Sequence, residues 1–166
     1  MKNQAFALGL LVLAGCATQY VAPTSGKTAT VTFTASGLPE GSWALVQNFA
    51  SEDCRPSPNG TRLATFTTTK IQGKGDPHAG ARRVMPADQP AVITFVYQQG
   101  VIGYTRSETC EVTQTFVPEA GRSYRLSFRH TGYRCVVTVE DDRFGGAVPV
   151  LSARQVTPAC YNKING

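Results

Sequence analysis

The chain has 166 residues, 42% of them hydrophobic and 16% charged, the proportions of one ordinary globular domain. Those figures exclude a coiled coil, a multi-domain enzyme and a polytopic membrane protein. A formal charge of +5, carried by 11 Arg and 5 Lys against 11 acids, reads either as a soluble surface with cationic edge strands or as a basic face for acidic lipid headgroups, anionic cell-wall polymers or an acidic protein. Thr and Val supply 19 and 16 residues, Gly and Pro 16 and 10, so strands and turns are favoured over helices.

The N-terminus reads as an export signal. Lys2 gives a short positive region, and Ala5 to Ala14 is an apolar run too short to span a bilayer as a helix. The run ends in Leu13-Ala14-Gly15-Cys16. This tetrapeptide resembles the lipobox of bacterial lipoproteins. The resemblance implies diacylglycerol on the Cys16 thiol, cleavage before Cys16 and acylation of the new amine. Position 17 is Ala rather than Asp, which resembles the pattern sent on to the outer membrane of a diderm bacterium. The expected division is a signal peptide over 1–15, a lipidated tether over 16–27 and a single β-sandwich domain over 28–166. The tether, Ala17 to Lys27, is small, polar and Pro-containing, a composition that holds a domain off a surface without packing.

With Cys16 assigned to lipid, Cys54, Cys110, Cys135 and Cys160 remain. An even number in an oxidising compartment reads as two disulfides. Three pairings are possible. Cys110–Cys135 with Cys54–Cys160 is preferred, because the first two lie on predicted strands of one C-terminal unit and the second bridge ties the tail to an early loop. No C-x-x-C spacing occurs, so neither a zinc site nor a thioredoxin-like pair is suggested.

From Thr28 the pattern alternates. Ala29, Val31 and Phe33 interleave with Thr30, Thr32 and Thr34, a half-buried strand. Gly37 to Gly41 is a turn, Trp43 to Phe49 a second strand, Glu52 to Gly60 a loop, and Arg62 to Thr69 a third strand. Lys70 to Arg83 reads as a basic, Gly-rich loop whose last residues open a short strand, Ala81 to Met85. Ala91 to Tyr97 is a strand, and Gln98 to Thr109 a loop carrying Val101, Ile102 and Tyr104. Three regular strands follow. Cys110, Val112 and Phe116 share one face of the first; Tyr124, Leu126 and Phe128 one face of the second, with Arg125 and Arg129 opposite; Cys135, Val137 and Val139 one face of the third. Pro118 to Gly121 and His130 to Arg134 are the turns between them. Val148 to Val150 is a last short strand. Seven to nine short strands with little helix give an all-β, two-layer antiparallel sandwich.

One stretch, Val84 to Asp142, carries a further pattern: Met85-Pro86-Ala87, Pro90, Cys110, Phe116, Pro118, Ala120-Gly121, Tyr124 and Cys135. It resembles a group of small bacterial lipoproteins and exported proteins with an immunoglobulin-like or transthyretin-like sandwich. The stretch covers about a third of the chain. Its matching residues are structural in kind and imply a fold, not a catalytic residue.

No constellation for catalysis stands out. Gly73 to Gly80 lacks P-loop spacing and no helix follows it. His78 and His130 are the two histidines. Asp76 lies too close to His78 for a triad, no Gly-x-Ser-x-Gly occurs, and His130 is expected to be exposed. Glu140-Asp141-Asp142 lacks EF-hand spacing and reads as a solvated turn. The expectation is therefore a non-enzymatic protein with no cofactor, no metal and no nucleic-acid partner. It would be held on the outer membrane by lipid, facing the periplasm, and bind an envelope protein or cell-wall component. Arg122, Arg125 and Arg129 form the candidate binding face, with Tyr104 as a candidate loop anchor. The alternatives are an inhibitor or immunity protein that plugs a hydrolase or toxin with the Lys70 to Arg83 loop and, further off, a small hydrolase.

Overall fold

A computed structural model of the chain describes residues 19–54, 60–68, 80–100, 107–132, 134–143, 146–157 and 160. The lipobox, Cys16 and the signal peptide lie outside the described residues, as do His78 and the greater part of the Lys70 to Arg83 loop. Among the described residues there are ten strands: β1 (Thr28–Ser36), β2 (Ser42–Phe49), β3 (Thr61–Thr67), β4 (Ala81–Pro86), β5 (Ala91–Gly100), β6 (Ser107–Phe116), β7 (Ser123–His130), β8 (Cys135–Arg143), β9 (Gly146–Pro149) and β10 (Arg154–Val156). They form two five-stranded sheets, ordered β4-β1-β7-β8-β9 and β10-β6-β5-β2-β3. The protein is a two-layer β-sandwich with two disulfides.

The alternation in the sequence sets the layers. In β1 the side chains of Ala29, Val31 and Phe33 are buried while those of the intervening threonines are not. Tyr124, Leu126, Phe128 and His130 repeat that phase in β7, as do Val137 and Val139 in β8. Facing them from the other sheet are Ala44, Val46, Ile93, Phe95, Tyr97, Val112 and Phe116. Rings join the layers: Phe95 stacks on Phe128 with centroids 5.5 Å apart, and Phe33 tilts against Phe95 at 6.3 Å. In β3 the register shifts so that Leu63 has no partner between Arg62 and Ala64. That bulge turns both Leu63 and Ala64 inward, where strict alternation would expose one of them.

Of the strand pairings, β1 with β7 is parallel; the others are antiparallel. β1 therefore sits inside its sheet, with Thr30 beside Ser123 and Thr32 beside Arg125. The turn before β7 supports it, since Gly121 N–H donates to Thr28 O and Thr30 N–H to Arg122 O.

The preferred cystine pairing is the observed one. Cys110 of β6 and Cys135 of β8 join the two sheets, with Cα atoms 6.3 Å apart. Cys54, just after β2, joins Cys160 in the tail at 5.3 Å. The second bridge lies on the outside of its sheet, where Phe49, Cys54, Val92 and Cys160 form a separate buried cluster. This explains why Val92, Thr94 and Thr113, which point away from the main core, are fully buried. Cys160 N–H donates to Thr113 Oγ1, itself bonded to Thr94 Oγ1.

Several local expectations are corrected. His130 is the last residue of β7 rather than the first of a turn, and its inward phase buries it to 6% exposure. Glu140-Asp141-Asp142 is not a solvated turn: β8 continues through it and pairs with β9. The same alternation that buries Val139 then buries Asp141. Phe49, the last residue of β2, points to the outside of its sheet and is buried against the second disulfide. The strands β5 and β6 run farther into the Gln98 to Thr109 segment than expected, reaching Gly100 and starting at Ser107.

The residues that carry the family-like pattern have structural work. Tyr124 stacks obliquely on Phe116 at 5.3 Å and its hydroxyl accepts the Glu119 N–H at 2.9 Å. Asp88 N–H donates to Pro118 O, and Ala87 N–H to Lys27 O. Gly37, with φ +70°, has no room for a side chain: an added Cβ would overlap the His130 carbonyl oxygen.

Candidate functional site

The strand register places the three candidate arginines differently. Arg125 and Arg129 lie on the outer face of the β4-β1-β7-β8-β9 sheet, beside Thr32 and Ser36 of β1. The same face carries Thr30, Thr34, Ser127 and Thr138, and Arg82 of β4 opposite Thr32. It is a hydroxyl-lined surface crossed by guanidinium groups. Thr34 Oγ1 donates to Ser127 Oγ at 3.0 Å and Ser36 Oγ to Phe128 O at 3.3 Å, so the hydroxyl row is ordered across β1 and β7.

Charge on this face is uneven. Arg125 donates to Asp142 at 3.0 Å and lies opposite Glu140. Arg129 is exposed beside Val136, itself 40% exposed, and makes no ion pair among the described residues. Positive potential is thus least compensated at the Arg129 end. Arg134, in the following turn, is also exposed.

Arg122 belongs to a different arrangement. It lies just before β7 and bridges Glu119, at 2.7 Å, to Asp141, at 2.9 Å. Asp141 is only 7% exposed at its side chain and takes a second guanidinium from Arg143 at 2.6 Å. A buried carboxylate needs such partners, because its lost hydration must be replaced. Arg122 therefore holds the β7–β8 end of the sheet. This ion network borders a groove of about 680 Å³ between Tyr124 and the β9–β10 segment, where Val148 and Leu151 are exposed.

At the opposite end of β7 the Cys110–Cys135 bridge closes the sandwich. His130 is the cross-strand neighbour of Cys135, and Tyr97 that of Cys110. Their rings stack at 4.2 Å, and His130 Nε2 lies 3.5 Å from Glu108 Oε1. The Tyr97 hydroxyl donates to Gln99 Oε1. Burial, and then the Glu108 charge, push the Tyr97 phenol above its ordinary range. Cys110, His130 and Cys135 bring ligand-type atoms within 4.8 Å of one another. Both sulfurs are joined in the disulfide, so the group presents an imidazole and a cystine.

Sequence reasoning missed the part played by Tyr20. The tether was expected to stand clear of the domain, and Val21 to Lys27 are for the most part exposed. Tyr20 instead packs against the main core. Its N–H donates to Arg62 O at 3.1 Å and its hydroxyl to Val84 O at 2.9 Å. Gln19 forms a parallel bridge with Arg62. The one signal in the sequence is an aromatic residue set within an otherwise small and polar linker. Tyr104, the candidate loop anchor, lies outside the described residues, as do Val101 and Ile102.

A comparison with known protein families finds no family model that matches the chain, and a search among curated proteins finds no match.

Proposed function

We propose that the protein is a non-enzymatic, lipid-anchored binding subunit of the bacterial cell envelope, carried on the outer membrane by acylated Cys16. Its docking surface is the outer face of β1, β7 and β8, and its partner is an envelope protein with an acidic patch. One observation carries this reading: a hydroxyl-lined sheet face ends in Arg129, exposed and without an ion pair among the described residues. Such a face offers directed hydrogen bonds and an uncompensated guanidinium, which binds carboxylates in a bidentate fork. The scaffold is rigid, since one disulfide joins its layers and another pins the tail. The lipobox-like Leu13-Ala14-Gly15-Cys16 and the even count of remaining cysteines support the compartment.

The test is in-cell photo-crosslinking from position 129, with position 154 on the far edge strand as control, followed by mass spectrometry. A single acidic envelope protein captured from 129 and not from 154 is expected. Arg125→Ser with Arg129→Ser should lower its recovery while circular dichroism stays unchanged. Equal capture from both positions, or recovery of cell-wall glycan alone, would overturn the reading.

A further inference from the structure

Tyr20 pins the start of the described chain to the sandwich. It reaches from β3, the edge of one sheet, to β4, the edge of the other, through its two hydrogen bonds to Arg62 O and Val84 O. This open side of the sandwich is basic. Arg62 and Arg82 are exposed on its two rims, and Arg83 lies half-buried between them with Nη1 donating to Arg82 O. None of the three makes an ion pair among the described residues. Beside them Val21 and Val84 are 81% and 39% exposed.

We propose that the β3–β4 side of the sandwich is a membrane-facing surface, seated on anionic phospholipid headgroups. The proposal rests on the anchoring of Cys16 proposed above. Chain length supplies the first argument. From Cys16 to Tyr20 the chain spans at most about 14 Å when fully extended. A domain of this size is a globule roughly 37 Å across. A tether much shorter than the body it holds brings the side it leaves from against the bilayer. Charge complementarity supplies the second. Arginine pairs with phosphate through its planar fork, and its aliphatic stem lets the head reach headgroups from either rim. Exposed Val21 and Val84 enter the interface beside the anchor, adding to the attraction of anionic lipid for the basic residues.

The experiment uses the mature chain from Cys16, whose other four cysteines are paired, coupled through the Cys16 thiol to maleimide lipid. The vesicles are phosphatidylethanolamine with phosphatidylglycerol, doped with a paramagnetic headgroup lipid, and amide NMR signals are followed. Signals of Tyr20, Arg62 and Arg82–Val84 should broaden first, and those of Arg154–Val156 on the opposite edge last. Tyr20→Pro removes both the N–H donor to Arg62 O and the hydroxyl donor to Val84 O, lengthens the free tether, out to Thr28, to about 41 Å and should abolish that gradient while the spectrum stays folded. For the uncoupled Cys16→Ser chain, changing Arg62, Arg82 and Arg83 to Ser should lower partitioning into these vesicles on the order of 100-fold at low salt. Uniform broadening, a gradient led by β10, or partitioning unchanged by the three substitutions would overturn the surface. Palmitate labelling in cells, wild type against Cys16→Ser, reads the anchor separately: absent label overturns the anchor, whereas label with uniform broadening overturns the surface alone.

Discussion

Removing the Cys54–Cys160 bridge should destabilise the domain more than removing Cys110–Cys135. The bridges close loops with sequence separations of 106 and 25 residues. Loop-closure entropy gives about 4.8 kcal/mol for the first and about 3.5 kcal/mol for the second at 25 °C. Packing widens the gap. Cys54 and Cys160 are 2% and 0% exposed within their own apolar cluster, so alanine leaves a small void there. Cys110 and Cys135 are only half-buried. Both alanine double variants would be made in a Cys16→Ser background, so that no unpaired thiol remains beyond the intact bridge. Urea unfolding would be followed by the fluorescence of Trp43, the single tryptophan, and by circular dichroism. With a slope near about 2 kcal/mol/M, the midpoint should fall by about 2.4 M for Cys54→Ala/Cys160→Ala and about 1.7 M for the other pair. Equal shifts, the reverse order, or a fall below about 0.5 M for the first pair would refute the loop argument. Protease should also cut the tail of the first variant soonest, because Cys160 is its tie to Thr113.

Three other substitutions probe separate features. Gly37→Ala combines a positive φ with overlap on the His130 carbonyl and should cost about 2 kcal/mol or more in urea unfolding. Tyr124→Phe keeps the ring against Phe116 but removes the acceptor of the Glu119 N–H; a loss of about 1 kcal/mol is expected, with the near-UV spectrum preserved. The Lys27–Asp88 pair, at 2.8 Å, holds the Asp88 carboxyl below its ordinary range and the Lys27 amine above its own. Its stabilisation is therefore present from above the ordinary carboxylate range and is lost as pH falls through the lowered Asp88 value. At the alkaline end it is lost as pH rises through the raised Lys27 value. NMR titration should show Asp88 returning to its ordinary range in Lys27→Met, and an unmoved midpoint would reject the pairing.

Strand phase was legible wherever one face is apolar and the other is not. β1, β7 and β8 follow from alternation alone, because burying one face of a sheet requires it. The cystine pairing was legible for a similar reason, since Cys110 and Cys135 share the phase of inward-facing residues on strands of one unit. The parallel contact of β1 with β7 was not legible, because alternation says which face is inside but nothing about the neighbour. β10 has three residues, too few for any period. Asp141 shows where chemistry and position conflict. A carboxylate in an acidic run reads as solvated, yet register with β7 and β9 buries it, and Arg122 and Arg143 compensate. Arg122 consequently left the binding face that its spacing from Arg125 and Arg129 suggested. Tyr20 was hidden because composition classifies a linker as a whole, whereas a single side chain can dock.

The parallel register of β1 with β7 also sets an order of assembly. Thr30 waits for Ser123, so the sheet built on β1 cannot close until most of the chain has been delivered. Four strands of the other sheet have no such delay, since only its edge strand β10 emerges after β7: β2 with β3 and β5 with β6 pair across short connections, and local pairings form earliest. A partly delivered chain would thus expose the apolar face of its first sheet with nothing to cover it. That intermediate is open to aggregation, and the emergence of β7 is the event that ends the exposure.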